Sequence, residues 1–430
     1  MPVADPHDPI SLLLAGRYPD PMTGELLRAD TRSVVIEDSL VGAEAELLAA
    51  LGLGRRIALI ADPHTFAALG ERVERAVTGR FAVQRIVLDG AFDADVETIA
   101  RLGAVIEPGV DAIVAVGAGT INDLGKMVAL ERGIPQVVFA TAPSMNGYTS
   151  LSASITSRGV KRSVRAATPA GVFFDLRVLA AAPRPLIRAG LGDSSCRPTA
   201  QADWLLAHLL VDRPYREAPF ALLAADEPAL FAQAHELLAG DLGALRRLVR
   251  TLVLSGFGMT LSGGSYPASQ GEHLLSHYLE MQRPTHPERL HGEQIGVCAL
   301  AMARLQAQFL ARDTPPRLQA STLTRDEVIA RFGPIAGESC WAEVSPKLLT
   351  APRAEELTAR LARDWDPIRT RLEAVSLAPQ AMQAMLVAAG APTTPGELGW
   401  SEVLLDEAQR HAREIRDRYT FLDLAADLAR

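Results

Sequence analysis

The sequence predicts an α/β fold: a doubly wound parallel sheet in the first half, joined to an all-helical second half. Three observations carry this. Between Arg32 and Ser144, short apolar runs alternate with stretches of helical spacing, the pattern of successive βαβ units. Beyond residue 190 the strand-like runs stop and helical periodicity takes over. The chain has 430 residues, 48% of them hydrophobic and 22% charged, enough for two cores without disulfide support.

Residues 1–30 are rich in Pro and Asp, carry little periodicity, and read as an N-terminal extension. Strands are expected at 32–38 (RSVVIED), 55–62 (RRIALIAD), 81–90 (FAVQRIVLDG), 111–120 (DAIVAVGAGT) and 134–144 (IPQVVFATAPS). Between them VGAEAELLAALGLG, residues 64–77, DADVETIARLGAVIE and INDLGKMVALERG have helical spacing, and glycines mark several helix stops. The sheet domain is placed at 31–188. An all-helical domain is placed at 189–430, with helices such as ADWLLAHLL, LGALRRLVRTLVLSGFGMTL and QIGVCALAMARLQAQFLARD. In such sheets ligands gather at the carboxyl ends of strands. The loops after Ala61, Leu88, Val116 and Ala140 are therefore the ones to watch.

Net charge is −8, with no stripe of Lys and Arg, which argues against nucleic acid as a partner. Three cysteines, widely separated, suit a reducing compartment better than a disulfide framework. The first residues lack a basic stretch followed by an apolar run, and no apolar run approaches the roughly 18 residues that span a bilayer. A cytoplasmic protein acting on a small molecule, with no membrane partner, is the expectation.

Two constellations carry chemistry. Val116-Gly117-Ala118-Gly119-Thr120 ends a strand and opens a helix. Glycine lets a diphosphate approach the backbone, and the helix start offers free N–H groups. By itself the turn is equally a tight strand-to-helix connection: it lacks the third glycine of the dinucleotide pattern and follows the fourth strand, not the first. Asp62 ends an earlier strand, where a carboxylate could bond an adenosine ribose or simply cap the next helix.

The second constellation is a group of histidines. His273, His277, His286 and His291 are four of only nine in the chain. His273 and His277 share a helix face. Imidazoles with a carboxylate form an open site for zinc or a similar ion. Asp193, Glu272 and Glu293 are the candidate carboxylates, and spacing does not choose among them.

Taken together, GAGTINDLGK, IPQVVFATAPSMNGYTS, VKRSVRAATPAGVFFD, AGLGD, ADW, SGGSYPASQGEHLLSHYLEM and HGEQIGVCAL resemble the superfamily of iron-containing alcohol dehydrogenases, glycerol dehydrogenases and dehydroquinate synthases. Within it the chain looks most like bacterial sn-glycerol-1-phosphate dehydrogenases. The resemblance implies a nucleotide-binding sheet domain, a metal-binding helical domain, NAD or NADP, and one divalent metal, zinc before nickel or iron. It also implies a homodimer or higher homo-oligomer. Gly117, Gly119 and Thr120 would hold the cofactor diphosphate, Thr141 and Ser144 would border the nicotinamide, and Asp123, in the same motif as the glycines, and Ser150 would also contact the cofactor. Asp193, His273 and His291 would hold the metal. His277, Asn146, Lys161 and Arg197 would serve at the active site, Lys161 near both cofactor and substrate.

The implied reaction interconverts dihydroxyacetone phosphate and sn-glycerol 1-phosphate or a similar small polyol phosphate. A dehydrogenase of an unphosphorylated hydroxy compound, a dehydroquinate synthase-like cyclase and a non-catalytic cofactor-binding member are the alternatives. Three positions depart from the resemblance: Asn146 stands for Asp, Arg197 for Lys (with Pro198 beside it), and Tyr266 for an Arg that would suit a phosphate. All three changes fall around substrate.

Overall fold

The computed structural model describes residues 7–90, 92–157, 160–282 and 289–429. A short helix, Pro9–Leu14, and a two-stranded ladder of Tyr18–Pro19 with Leu26–Leu27 come first, so the N-terminal extension carries structure of its own. The chain then runs β1 (Ser33–Glu37), α1 (Glu44–Ala50), β2 (Arg56–Ala61), α2 (Glu71–Val77), β3 (Ala82–Val87), α3 (Val96–Val105), β4 (Ala112–Gly117), α4 (Gly119–Arg132) and β5 (Gln136–Ala140). An antiparallel hairpin follows, β6 (Ser152–Ser157) with β7 (Val160–Arg165), and then β8 (Gly171–Asp175). Helices follow, among them α5 (Arg184–Ser194), α6 (Cys196–Val211), α7 (Leu242–Leu261), α8 (Gly271–Gln282), α9 (His291–Leu310) and α10 (Ala351–Val375).

The described residues form two compact units: Met1–Ser194 with Glu217–Ser265, and Ser195–Arg216 with Tyr266–Arg430. The sequence places the division at 188/189 and assigns everything beyond it to one helical domain. The structure instead groups 217–265 with the sheet. The reason is local: Thr149 Oγ1 donates to Val253 O (2.7 Å), and Thr260 Oγ1 donates to Thr149 O (3.1 Å), so α7 packs on the loop that follows β5.

In the first unit six strands form one parallel sheet in the order β1-β8-β5-β4-β2-β3. Both faces are buried, which is why its inner strands read as continuous apolar runs. Ile57, Leu59, Val114, Val116 and Phe139 face one core with Leu48 and Val73. Ala58, Ile60, Ile113 and Ala115 face the other with Ile99, Leu102, Leu124 and Val128. The strand order turns back between β2 and β4, so the loops after those strands diverge at the crevice where such sheets bind ligands. Asp62 and the Gly117–Gly119 turn sit there.

The second unit is helical among its described residues apart from one isolated bridge, Leu318 to Leu428. Its core joins Leu206, Leu275, Tyr278, Met302, Leu357, Trp365 and Phe421. No described helix is long and apolar enough to cross a membrane.

Candidate functional site

In the first unit the glycine turn is shaped by contact. A β-carbon on Gly117 would lie 2.5 Å from Cβ of Ile121, a separation that real side chains do not tolerate. Ala118 caps α4 without any side-chain oxygen, so the first-turn N–H groups keep no cap bond. Thr120 is exposed at this helix start. That is the arrangement a diphosphate needs. Asp62 caps the following turn: its Oδ1 accepts from His64 N–H (2.8 Å) and Thr65 N–H (2.9 Å), and Thr65 reciprocates to complete a capping box.

Behind the turn lies a lysine that sequence reasoning did not single out. Lys126 is fully buried, and its Nζ donates to Gly147 O (2.6 Å), Ser150 O (2.8 Å), Ser150 Oγ (3.2 Å) and Ser152 O (3.0 Å). Burial pulls its ammonium down to about 8, against the opposing pull of Asp123. Asp123 turns to the hairpin: its Oδ2 accepts from Ser154 N–H (2.9 Å) and its Oδ1 from Asn122 Nδ2 (3.0 Å). Ser150 also donates within the loop, to Gly147 O and Ser152 O (both 3.0 Å). Lys126 and Ser150 thus hold the 146–152 loop in place, and Asp123 holds the strand that follows it. Thr141 N–H ties to Gly117 O (3.2 Å), joining the two strand-end loops, and the Ser144 side chain bonds the buried Tyr148.

That loop presents Asn146, whose backbone N–H donates to Asp193 Oδ2 (2.7 Å). The Asn146 side-chain nitrogen is buried without a hydrogen-bond partner. Asp193 is 2% exposed and sits in the last turn of α5, which begins upstream at Arg184. A carboxylate there faces the negative end of the helix dipole. The Asn146 N–H, and any cation it binds, offset that. Lys161 lies on β7 opposite Thr156, and its side chain is outside the described ones.

In the second unit the histidines converge. His273 stands in the first turn of α8, His277 one turn on, and His291 opens α9. The ring centres of His273 and His291 are 5.2 Å apart, and that of His277 lies 6.0 Å and 5.9 Å from them. His286 is outside the described residues. Glu272 is fully buried and committed: its Oε1 accepts from Gln270 N–H (2.7 Å) and pairs with His273 Nδ1 (2.9 Å), while its Oε2 accepts from Thr199 Oγ1 (3.2 Å). A carboxylate on Nδ1 leaves Nε2 as the ligand nitrogen, the usual backing of a metal-bound imidazole. Cys196, Glu272 and His273 also offer atoms within 4.8 Å of one another.

Asp203 sets α8 in place by accepting from Gly271 N–H (3.0 Å) and, at its other oxygen, from Phe421 N–H (3.0 Å). A β-carbon on Gly271 would lie 2.7 Å from that Asp203 oxygen, so only glycine fits the start of the histidine helix. Arg197 turns to Gln201 (2.6 Å), and Pro198 sits in the first turn of α6, where its missing N–H costs nothing.

Two further groups at this site have no spacing signature. Arg416 donates to His277 Nδ1 (3.2 Å) and to Ser269 Oγ (3.3 Å). A guanidinium has only donors, so Nδ1 accepts and the ring proton of His277 is on Nε2. Arg418 donates to Ser269 O (2.7 Å) and lies 4.0 Å from the ring centre of Tyr266, which stacks on Trp204.

Comparison with known proteins agrees with the resemblance. Residues 35–183 match the family described as iron-containing alcohol dehydrogenase. A glycerol-1-phosphate dehydrogenase (NAD(P)+) of Geobacillus stearothermophilus is 33% identical over 407 residues, covering 90% of this chain and 92% of that one. The Pyrococcus furiosus protein of the same name is 33% identical over 64% of this chain and 78% of its own. Among solved structures, a probable glycerol dehydrogenase from Sinorhizobium meliloti 1021 superposes with a TM-score of 0.59 at 20% identity, over 92% of this chain and 96% of that one. With the sheet, the glycine turn and the histidine helix in place, the chain belongs to the iron-containing alcohol dehydrogenase family, alongside these glycerol-1-phosphate dehydrogenases.

Proposed function

We propose that the chain is a metal-dependent, NAD(P)H-linked dehydrogenase that interconverts dihydroxyacetone phosphate and sn-glycerol 1-phosphate or a similar small polyol phosphate. The observation that carries this is the pair of imidazoles at His273 and His291, with Glu272 fixing the first, in a chain similar over nine tenths of its length to a named glycerol-1-phosphate dehydrogenase. Asp193, held by the Asn146 N–H, is the third ligand we assign. Two imidazoles and a carboxylate suit a catalytic divalent ion, zinc foremost. Such an ion supplies Lewis acidity, lowering the pKa of the substrate hydroxyl in one direction and polarising the ketone in the other.

The protein's own groups supply the rest. The Gly117–Gly119 turn and the α4 N-terminus bind the cofactor diphosphate, with Thr120 at its edge. Thr141 and Ser144 border the nicotinamide. Asn146 cannot take a proton as the Asp of relatives can, so it orients through its buried amide nitrogen. His277 carries its proton on Nε2 and is the group placed to relay one to solvent. Asp62 as a ribose ligand would favour NAD, although its visible work is the helix cap. A cytoplasmic homo-oligomer completes the reading.

The test is turnover by metal-loaded protein of dihydroxyacetone phosphate against dihydroxyacetone, each with NADH and NADPH. Preference for the phosphorylated ketone is expected. Equal or better turnover of dihydroxyacetone overturns the reading.

A further inference from the structure

A polyol-phosphate substrate needs a cationic partner for its phosphate. In this chain Tyr266 occupies the position where the resemblance expects an arginine, and a phenol cannot neutralise a dianion. The second unit contains another cationic group. Arg416 and Arg418 lie two residues apart on the stretch between the helical turn Ala412–Ile415 and the helix that starts at Phe421. Both guanidiniums turn to one residue, Ser269: Arg416 donates to its hydroxyl and Arg418 to its carbonyl.

Two guanidiniums thus meet at one serine. Burial and the Arg416 charge pull the Arg418 guanidinium down to about 10, and burial pulls Arg416 down as well. The carboxylates nearest the pair also have other partners. Asp417 is paired with Arg213 (2.6 Å), Glu343 accepts from the Asp417 N–H (3.0 Å), and Glu272 holds His273 (2.9 Å). The partners Arg416 shows are neutral, a hydroxyl and an imidazole nitrogen. That imidazole is His277, whose ring centre is 6.0 Å from that of His273 and 5.9 Å from that of His291. The Arg416 guanidinium is therefore one side chain away from the histidines assigned to the metal. A three-carbon substrate with its oxygen at those histidines has its phosphate within reach of Arg416.

We infer that Arg416 and Arg418 form the phosphate subsite of the enzyme, doing from the C-terminal segment what an arginine at position 266 would do, with Tyr266 serving as the aromatic platform that holds Arg418. Planar guanidiniums suit a phosphate because each offers paired donors. The inference rests on the phosphorylated-substrate reading above.

The test compares Arg416→Gln, Arg416→Lys and Arg418→Gln with wild type, each metal-loaded. Two quantities are measured: the ratio of kcat/KM for dihydroxyacetone phosphate to that for dihydroxyacetone, and competitive inhibition by inorganic phosphate. The glutamine variants are expected to lower the ratio at least tenfold and to weaken phosphate inhibition comparably, with Arg416→Lys intermediate. If both substrates decline together and the ratio stays within twofold, the arginines act only by positioning His277, and the inference is overturned. Should wild type itself show no preference for the phosphorylated ketone, the functional reading fails, and phosphate inhibition alone decides the subsite. Weaker inhibition in the variants supports it; unchanged inhibition overturns it.

Discussion

At the scale of single residues, the carboxylate behind His273 and the ammonium behind the Asn146 loop do the most. Glu272 is bonded at both oxygens: one is shared by the Gln270 N–H and His273, the other takes the Thr199 hydroxyl. Its part is to fix the tautomer of His273. Glu272→Gln can keep only part of that network, and a loss of roughly 10–100-fold in metal affinity is expected, the range for removing such a backing group. A zinc competition titration reads it; an unchanged affinity would show that His273 needs no support. Lys126 gives a pH signature. Its folded-state pKa of about 8 lies below the ordinary 10.5. Between those values the unfolded chain holds the proton more firmly, so stability rises with pH across that window, and below pH 8 the cost is constant. The shift corresponds to ~3 kcal/mol. Lys126→Met removes this dependence. Urea unfolding at pH 8 and at pH 10.5 should therefore show wild type gaining about 3 kcal/mol relative to the variant. A constant difference between them rules the assignment out.

At the scale of elements, the loop from Asn146 to Ser150 is clasped by α7. Gly256 lies where a β-carbon would meet Thr149 Oγ1 at 2.3 Å and Asn146 O at 2.8 Å. Gly256→Ala must push the loop away, at a cost of about 1–3 kcal/mol for overpacking. Because the displaced backbone carries Asn146 and its bond to Asp193, both the melting temperature and kcat/KM should fall. A lower melting temperature with intact kcat/KM would mean the loop position is not critical. The same elements show what a sequence reveals. Strands β1 to β5 were legible because β-branched runs alternated with helical spacing, and most of them are buried on both faces. The β6–β7 hairpin was not, since the alternation in β6 is short and rests on only two apolar residues, Ala153 and Ile155, among serines and threonines, and β8 follows the hairpin with no helical stretch between to mark a βαβ unit. The histidines announced themselves by clustering. The proposal of Asp193 over Glu272 needed the resemblance; the hydrogen bonds of Glu272 to Gln270, His273 and Thr199 are consistent with a supporting part for it. Lys126 stood inside the quoted GAGTINDLGK stretch, but only its four oxygen partners reveal its task. Arg416 and Arg418 were invisible because they lie far along the chain from Ser269 and His277, with no spacing rule to link them.

At the scale of the whole molecule, neither unit is a continuous stretch of chain. The polypeptide leaves the first unit after Ser194, contributes α6 to the second, and returns for residues 217–265 before leaving again. A boundary read from the loss of strand periodicity cannot detect this, because α6 and α7 have the same helical spacing and belong to different cores. The consequence is testable with a fragment cut where periodicity places the boundary. A fragment of residues 1–188 keeps every strand of the sheet but lacks α7, and with it the Val253 carbonyl that accepts from Thr149 and the Arg246 side chain that bonds Asp38. It also lacks Arg250, which pairs with Asp8 at the cap of the first helix. Three segments of the fragment are left without their partners: the N-terminal cap, the end of β1 and the Asn146 loop. The fragment is expected to unfold without the cooperative transition of the full chain, or to aggregate through the surface that α7 covers. Circular dichroism melts of the fragment and the full chain compare them. A sharp fragment transition within a few degrees of the full chain's would show that the sheet is stable without the returning helices, and that the sequence boundary is the physical one.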